Sequence, residues 1–162
     1  MADLILWRHA NASYEAQSDM ERELSSKGKK EAKKMAEFLE KNLSKQGFKN
    51  YKILTSEATR TKQTASMLDE NYTPCKELNV GSEASDILEF IRWKEPLKDG
   101  ASKVLILVGH EPFLSEIVTL ELLGQKEILN QAFSFHTAGV FWLRSDETDE
   151  VSLQLALMPN ML

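Results

Sequence analysis

Apolar positions along this chain fall into two rhythms. Short unbroken runs at Leu4-Ile5-Leu6-Trp7, Tyr51 to Thr55 and Val104 to Val108 read as strands buried on both faces, as in a parallel sheet. Between them the spacing lengthens to that of helices. The strongest opens at Leu24-Ser25, where Ser25 is a good N-cap, and ends at Gly47. Ala32, Met35, Ala36, Leu39 and Leu43 make its single apolar stripe. Gly28 sits awkwardly in its first turn, which close approach of another backbone or of a ligand would explain. A second helix runs to Leu68, capped by Ser56 or Thr59, and a third spans about Ser82 to Lys94 with Ala84, Ile87, Leu88 and Ile91 inward. A fourth starts at Pro112, reaches Leu123 and stops at Gly124. Asn71 to Pro74 breaks the chain, Cys75 to Leu78 reads as a short strand, and Gln125 to Gln131 is ambiguous. Near the end the period drops to two. Val140 to Leu143, a polar turn, and then Val151, Leu153, Leu155 and Leu157 predict a hairpin at a sheet edge. This order predicts one α/β domain over residues 1–162, a three-layer sandwich whose mostly parallel sheet closes with that hairpin.

Composition narrows the partners. A length of 162 residues with 42% hydrophobic content suits one full-sized core. A net charge of −5 argues against nucleic acid, because no basic stripe stands out beyond the first helix. Lys29, Lys30, Lys33, Lys34 and Lys41 lie mostly off its apolar stripe, and with Glu31, Glu37 and Glu40 they read as a solvated face. Cys75 is the single cysteine, so no intrachain disulfide or Cys metal cluster can form, which fits a reducing compartment. The N-terminus lacks a signal-peptide apolar core, and no run approaches the ~20 residues that span a bilayer. A cytoplasmic protein is expected, without a membrane partner; its oligomeric state is open.

The ends of the strands change the picture. The first runs into Arg8-His9, the second into Ser56 and Arg60, and the third into Gly109-His110-Glu111-Pro112. Ligands of open α/β sheets sit beyond the carboxyl ends of the strands, so the fold would deliver Arg8, His9, Arg60 and His110 to one crevice. Two guanidiniums match phosphate oxygens, and helices following Ser56 and His110 would point free N–H groups at the same place. Arg60 near a helix N-terminus is unfavourable unless an anion binds there. A neutral imidazole in such company is a nucleophile for phosphorus.

The ordered set Leu-x-x-Arg8-His9-Ala10, Ser56-x-x-x-Arg60-x-x-x-Thr64-Ala65 and Gly109-His110-Glu111-Pro112 resembles the histidine phosphatase superfamily. The near-minimal length and Asp19-x-x-Arg22-x-Leu24-Ser25-x-x-Gly28 look most like its SixA-type phosphohistidine phosphatase branch. The resemblance spans Leu4 to about Leu143. It implies a phosphoglycerate mutase-like sheet, with His9 as nucleophile and Arg8, Arg60 and a protonated His110 holding the phosphoryl group. It also counts Arg22 among the substrate-binding residues. No cofactor or metal is called for. His9 must be neutral to attack, and a backbone carbonyl accepting from Nδ1–H would present Nε2 to phosphorus.

Ala10 replaces the glycine usual after the Arg-His pair, a change the SixA-type branch tolerates. Larger members protonate an alcohol leaving group with a carboxylic acid from an inserted segment. The stretch around Leu78 to Ala84 offers Glu77 and Glu83 but neither a clear match nor a cap insertion. An open site without a strong acid suits phosphohistidine on a partner protein of the histidine-containing phosphotransfer type, because an imidazole leaves more easily than an alkoxide. A small-molecule phosphomonoesterase and a silent phosphoprotein-binding module are the alternatives. Glu111 reads as a helix-start residue. His136 is either a loop histidine or, since Phe135 to Gly139 resembles a stretch near the family's pocket, part of the site rim. A metal on His9, His110 and His136 is disfavoured by the neighbouring arginines and the lack of a close ligand pair.

Overall fold

The computed structural model describes residues 1–125 and 133–162. Its strands are β1 (Ala2–Arg8), β2 (Lys52–Thr55), β3 (Tyr72–Pro74), β4 (Lys103–Gly109), β5 (Val140–Ser145) and β6 (Val151–Leu157). The helices are α1 (Ser26–Lys45), α2 (Thr59–Ser66), α3 (Ala84–Ile91) and α4 (Phe113–Leu122). One sheet holds all six strands in the order β3-β2-β4-β1-β5-β6. Strands β3, β2, β4 and β1 are parallel, and β5 alone runs opposite to the other five. That is the mostly parallel α/β sandwich expected, closed by the β5–β6 hairpin.

Alternation along the central strands builds the two outer layers. Leu4, Leu6, Leu105 and Leu107 pack toward Ile87 of α3 and Ile117 of α4. Ile5, Trp7, Ile106 and Val108 point the other way, onto Met35, Leu39 and Leu43 of α1 and Ala65 of α2. Both faces of β1 and β4 are therefore dry, which is why their sequences are unbroken apolar runs. Ser25 Oγ accepts from the Gly28 N–H at 3.0 Å and caps α1. A Cβ on Gly28 would strike the Asn11 carbonyl oxygen. The close backbone approach expected at this glycine is real, and it ties α1 to the chain leaving β1.

Several boundaries differ from expectation. The short strand is Tyr72–Pro74, while Lys76–Leu78 forms a 3-10 turn. Pro74 is accommodated because β3 lies at the sheet edge. Helix α3 ends at Ile91, where Arg92 turns left-handed at φ 43°. Helix α2 begins after Ala58 with no side-chain cap, so neither Ser56 nor Thr59 caps it. Along β6, Trp142 faces Leu155 and Leu143 faces Leu153, leaving Gln154 as a bulge. The bulge breaks the simple alternation and leaves Leu153 42% exposed. All but the first residue of Gln125 to Gln131 lies outside the described residues. Among those described, no helix is long and apolar enough to cross a membrane.

Candidate active site

The site is made where β1, β2 and β4 stop. The His9 N–H donates to the Gly109 carbonyl at 3.1 Å, extending the β1–β4 pairing by one residue. On its other side, the Ala138 N–H donates to the His9 carbonyl (3.1 Å) and the Arg8 N–H to the Gly139 carbonyl (3.0 Å). His110 follows β4 directly, and Arg60 occupies the first turn of α2 just beyond β2. The rings of His9 and His110 lie 5.3 Å apart, and Arg60 Nη2 is 3.4 Å from His110 Nδ1. Arg8 extends beside them and donates from Nη1 to the Phe135 carbonyl at 2.7 Å. The structure thus brings Arg8, His9, Arg60 and His110 into one centre.

Local bonding fixes the two imidazoles. His9 Nδ1 donates to the Ala10 carbonyl at 2.8 Å, leaving the Nε2 lone pair free. Burial first, then Arg60, Arg8 and Arg22, push the His9 pKa down to about 4, against an upward pull from the Ala10 hydrogen bond. His110 faces Arg60 through Nδ1, an acceptor position, so its proton sits on Nε2 and is donated to Ser56 Oγ at 2.7 Å. Burial, followed by His9 and Arg60, lowers its pKa to about 3. That favours the neutral form of His110 here, whereas the protonated form expected from sequence was that of a site holding a phosphoryl group. Arg8 and Arg60 crowd a buried pocket, and the shifts favour the uncharged form of both histidines.

Ser56 does not cap the helix as its position suggests; its hydroxyl instead accepts from His110. It also contacts Thr61 Oγ1 at 2.8 Å and accepts from the Ala58 N–H at 3.2 Å. Thr64 plays a similar supporting part, accepting from the Ala10 N–H at 3.0 Å. Asp19, the acidic residue of the Asp-x-x-Arg element, has no local pattern that assigns it to the site, yet it lies against Arg60. Arg60 donates to its carbonyl at 2.7 Å and to its carboxylate at 3.1 Å. Burial alone would raise the Asp19 carboxyl, but hydrogen bonds from Arg60 and Arg22 hold it below its ordinary range.

The remaining candidates are placed less centrally. Arg22 binds the loop that carries it, donating to the Ser13 carbonyl at 3.0 Å and the Ala12 carbonyl at 3.2 Å, with its guanidinium 3.9 Å from the exposed Tyr14 ring. Glu111 caps α4, accepting from the Ser115 N–H at 2.9 Å and from its hydroxyl. Glu77 and Glu83 are exposed and line a separate shallow hollow with Asp86. His136 is exposed and faces a different cleft, so only its neighbour Phe135 enters the centre, by its carbonyl. Among the described residues, the buried Nε atoms of Arg8 and Arg60 have no acceptor. These unmatched guanidinium donors suit a tetrahedral oxyanion, and their positive charge opposes a metal ion.

Residues 4–80 match the family described as histidine phosphatase superfamily (branch 1), a span that holds Arg8, His9, Arg22 and Arg60. The fold agrees. The protein histidine phosphatase SixA complexed with tungstate superposes with a TM-score of 0.78 at 20% identity over 99% of both chains. A protein from Agrobacterium tumefaciens assigned as a phosphohistidine phosphatase SixA gives 0.75 at 23% identity over 98% of both. A phosphoserine phosphatase variant from Entamoeba histolytica, in complex with phosphoserine, gives 0.70 at 15% identity over 100% of both. No curated protein sequence matches the chain. The chain carries the histidine phosphatase signature in its N-terminal half and the histidine phosphatase fold throughout. Its structural neighbours include SixA phosphatases.

Proposed function

We propose that this protein is a metal-independent phosphatase that takes the phosphoryl group from a phosphorylated histidine on a partner protein and passes it through His9. One observation carries the reading: the Nδ1–H of His9 is held by the Ala10 carbonyl, so its free Nε2 lone pair stands in a buried cationic centre. Nε2 attacks phosphorus as the P–N bond to the substrate imidazole breaks, and the departing nitrogen takes a proton. Water then attacks the phosphohistidine, releasing inorganic phosphate and restoring His9. Arg8 and Arg60 stabilise the equatorial oxygens, and the charge of an arriving phosphoryl group favours a proton on His110 Nδ1, adding a third donor. Arg22 acts through the loop that borders the substrate. SixA neighbours support phosphohistidine as substrate, and so do the shortness of the β3–α3 connection and the exposure of Glu77 and Glu83. Cytoplasmic operation fits the single free Cys75.

The test is to mix the protein with a chemically phosphorylated histidine phosphotransfer domain and quench early. An acid-labile, base-stable phosphate should appear on the wild-type chain and be missing from His9→Ala, with turnover reduced by several orders of magnitude. Efficient hydrolysis of an alkyl phosphate with no turnover of phosphohistidine would move the assignment to a small-molecule phosphomonoesterase. Binding with no turnover of either substrate would make the chain a phosphoprotein-binding module.

A further inference from the structure

Beside the centre lies a cleft of about 540 Å³ between the first turns of α1 and the 135–139 segment. Its walls include Lys27, Lys30 and Lys34, with His136, Thr137 and Asn160 opposite. The three lysines fall at i, i+3 and i+7, one face of a helix, and form a row about 10 Å long at the helical rise of ~1.5 Å per residue. Glu31 also lines the cleft, but its charge is already engaged. Its carboxylate lies 3.6 Å from Lys27 Nζ and accepts from the Thr137 hydroxyl at 3.3 Å. Among the described residues, Lys30 and Lys34 have no carboxylate within ion-pair distance. A cationic row on a chain of net charge −5 is a local exception to the surface around it.

The cleft shares a wall with the phosphoryl centre. Phe135 gives its carbonyl to Arg8, and Ala138 holds the His9 carbonyl, while the intervening His136 and Thr137 face the cleft. At the other wall, Gly28 presses α1 onto Asn11, two residues beyond His9. A macromolecule presenting a group to His9 would therefore lie across Lys27, Lys30 and Lys34. On the phosphohistidine-protein reading above, we infer that this cleft docks an acidic helical face of the phosphorylated partner. A lysine row at helical spacing complements carboxylates at the same spacing, and it offsets the repulsion that two acidic proteins would otherwise feel. Lys30 and Lys34, which read as part of a merely solvated face in the sequence, thereby join Lys27 in a partner-selecting surface.

The experiment uses an acidic histidine phosphotransfer domain phosphorylated with phosphoramidate, and free phosphohistidine as the substrate without a docking face. Lys30→Glu/Lys34→Glu should lower kcat/KM on the phosphoprotein about tenfold at low salt and leave free phosphohistidine turnover unchanged. The wild-type preference for the phosphoprotein should shrink as salt rises, and the variant should show little of that dependence. Titration of the phosphoprotein into His9→Ala, with and without the two lysine changes, reads docking apart from chemistry. Weaker binding in the lysine-substituted protein supports the surface, even if the wild type proves inactive and the phosphatase reading fails. Equal binding with and without the changes, or a parallel loss on both substrates, overturns it.

Discussion

Strand β1 carries charged groups at both ends, and the two ends are finished differently. At its start Asp3 is 2% exposed. Its carboxylate accepts two hydrogen bonds from Arg144, each 2.7 Å, and one from Trp142 Nε1 at 2.8 Å. Buried charge and donors balance there, with nothing left over. At the other end Arg8 and His9 enter a pocket that already holds Arg60 and His110. The Nε atoms of Arg8 and Arg60 lack acceptors, and the imidazoles are pushed toward their uncharged forms. The first end is closed and structural. The second is completed only by an anion from outside, and that imbalance is what marks a binding site. Burial and residue type alone do not separate the two.

Breaking the closed end should have the largest effect on stability. Asp3→Ala strands the indole N–H and removes the partner of Arg144, so about 3–5 kcal/mol should be lost in urea unfolding. Phosphate affinity of the remaining folded protein should be unchanged. Arg60→Ala should do the reverse. Its loss should weaken binding of phosphate or tungstate by about 2–4 kcal/mol, read by titration calorimetry. Stability should move by less than about 1 kcal/mol, because the Asp19 carboxylate it abandons is 55% exposed and can be hydrated. If Arg60→Ala unfolds the protein and spares the anion, the two ends are alike and the site is misplaced.

Acid sharpens the contrast by a smaller amount. The folded values of about 4 for His9 and about 3 for His110 lie below the ordinary 6.5. As pH falls below 6.5 the unfolded chain takes up protons that the folded chain refuses. Their stabilising contribution is therefore complete above that value and drains away as pH drops toward the folded values. One unit below the unfolded value, each histidine has withdrawn about 1.4 kcal/mol. Urea midpoints should fall accordingly, His110→Asn should remove part of the slope, and saturating phosphate should flatten it. A slope unchanged in His110→Asn would mean that acid sensitivity arises elsewhere.

What the sequence made legible depended on distance along the chain. Arg8-His9, Arg60 and His110 each follow an apolar run closely, so a strand followed by its terminal residues placed them without knowledge of packing. The unbroken run Leu4-Ile5-Leu6-Trp7 likewise announced a strand covered on both faces, as Leu4 and Leu6 on one side and Ile5 and Trp7 on the other are. Ser56 escaped because its partner His110 is 54 residues away and a serine before a helix has a simpler local reading. Asp19 escaped for the same reason, since its contact with Arg60 spans 41 residues. The neutral state of His110 depends on burial by three strands and on cations from two of them. No local pattern encodes that. The β6 bulge and the position of β3 were missed because edge strands lack the two-sided burial that makes β1 and β4 obvious.

The smallest effect tests whether the open end is also held rigid. Ser56 is a positioning residue: it touches the imidazole of His110, and its own hydroxyl is oriented by Thr61 and the Ala58 N–H. Removing one such hydrogen bond from a buried group is worth about 1 kcal/mol, so Ser56→Ala should slow turnover roughly fivefold. The loss should fall on kcat more than on KM, because Arg8 and Arg60 still bind the anion while His110 wanders from its donor geometry. The nitrogen chemical shifts of His110 should report a mixture of tautomers in place of the single Nε2–H form. His110 has another support, since Phe113 meets its ring edge-on at 6.0 Å. If Ser56→Ala retains full kcat and a single tautomer, packing against Phe113 holds the imidazole and the Ser56 hydroxyl is dispensable. If kcat falls and the tautomer mixture appears, a serine at the end of β2 sets the proton of a histidine at the end of β4.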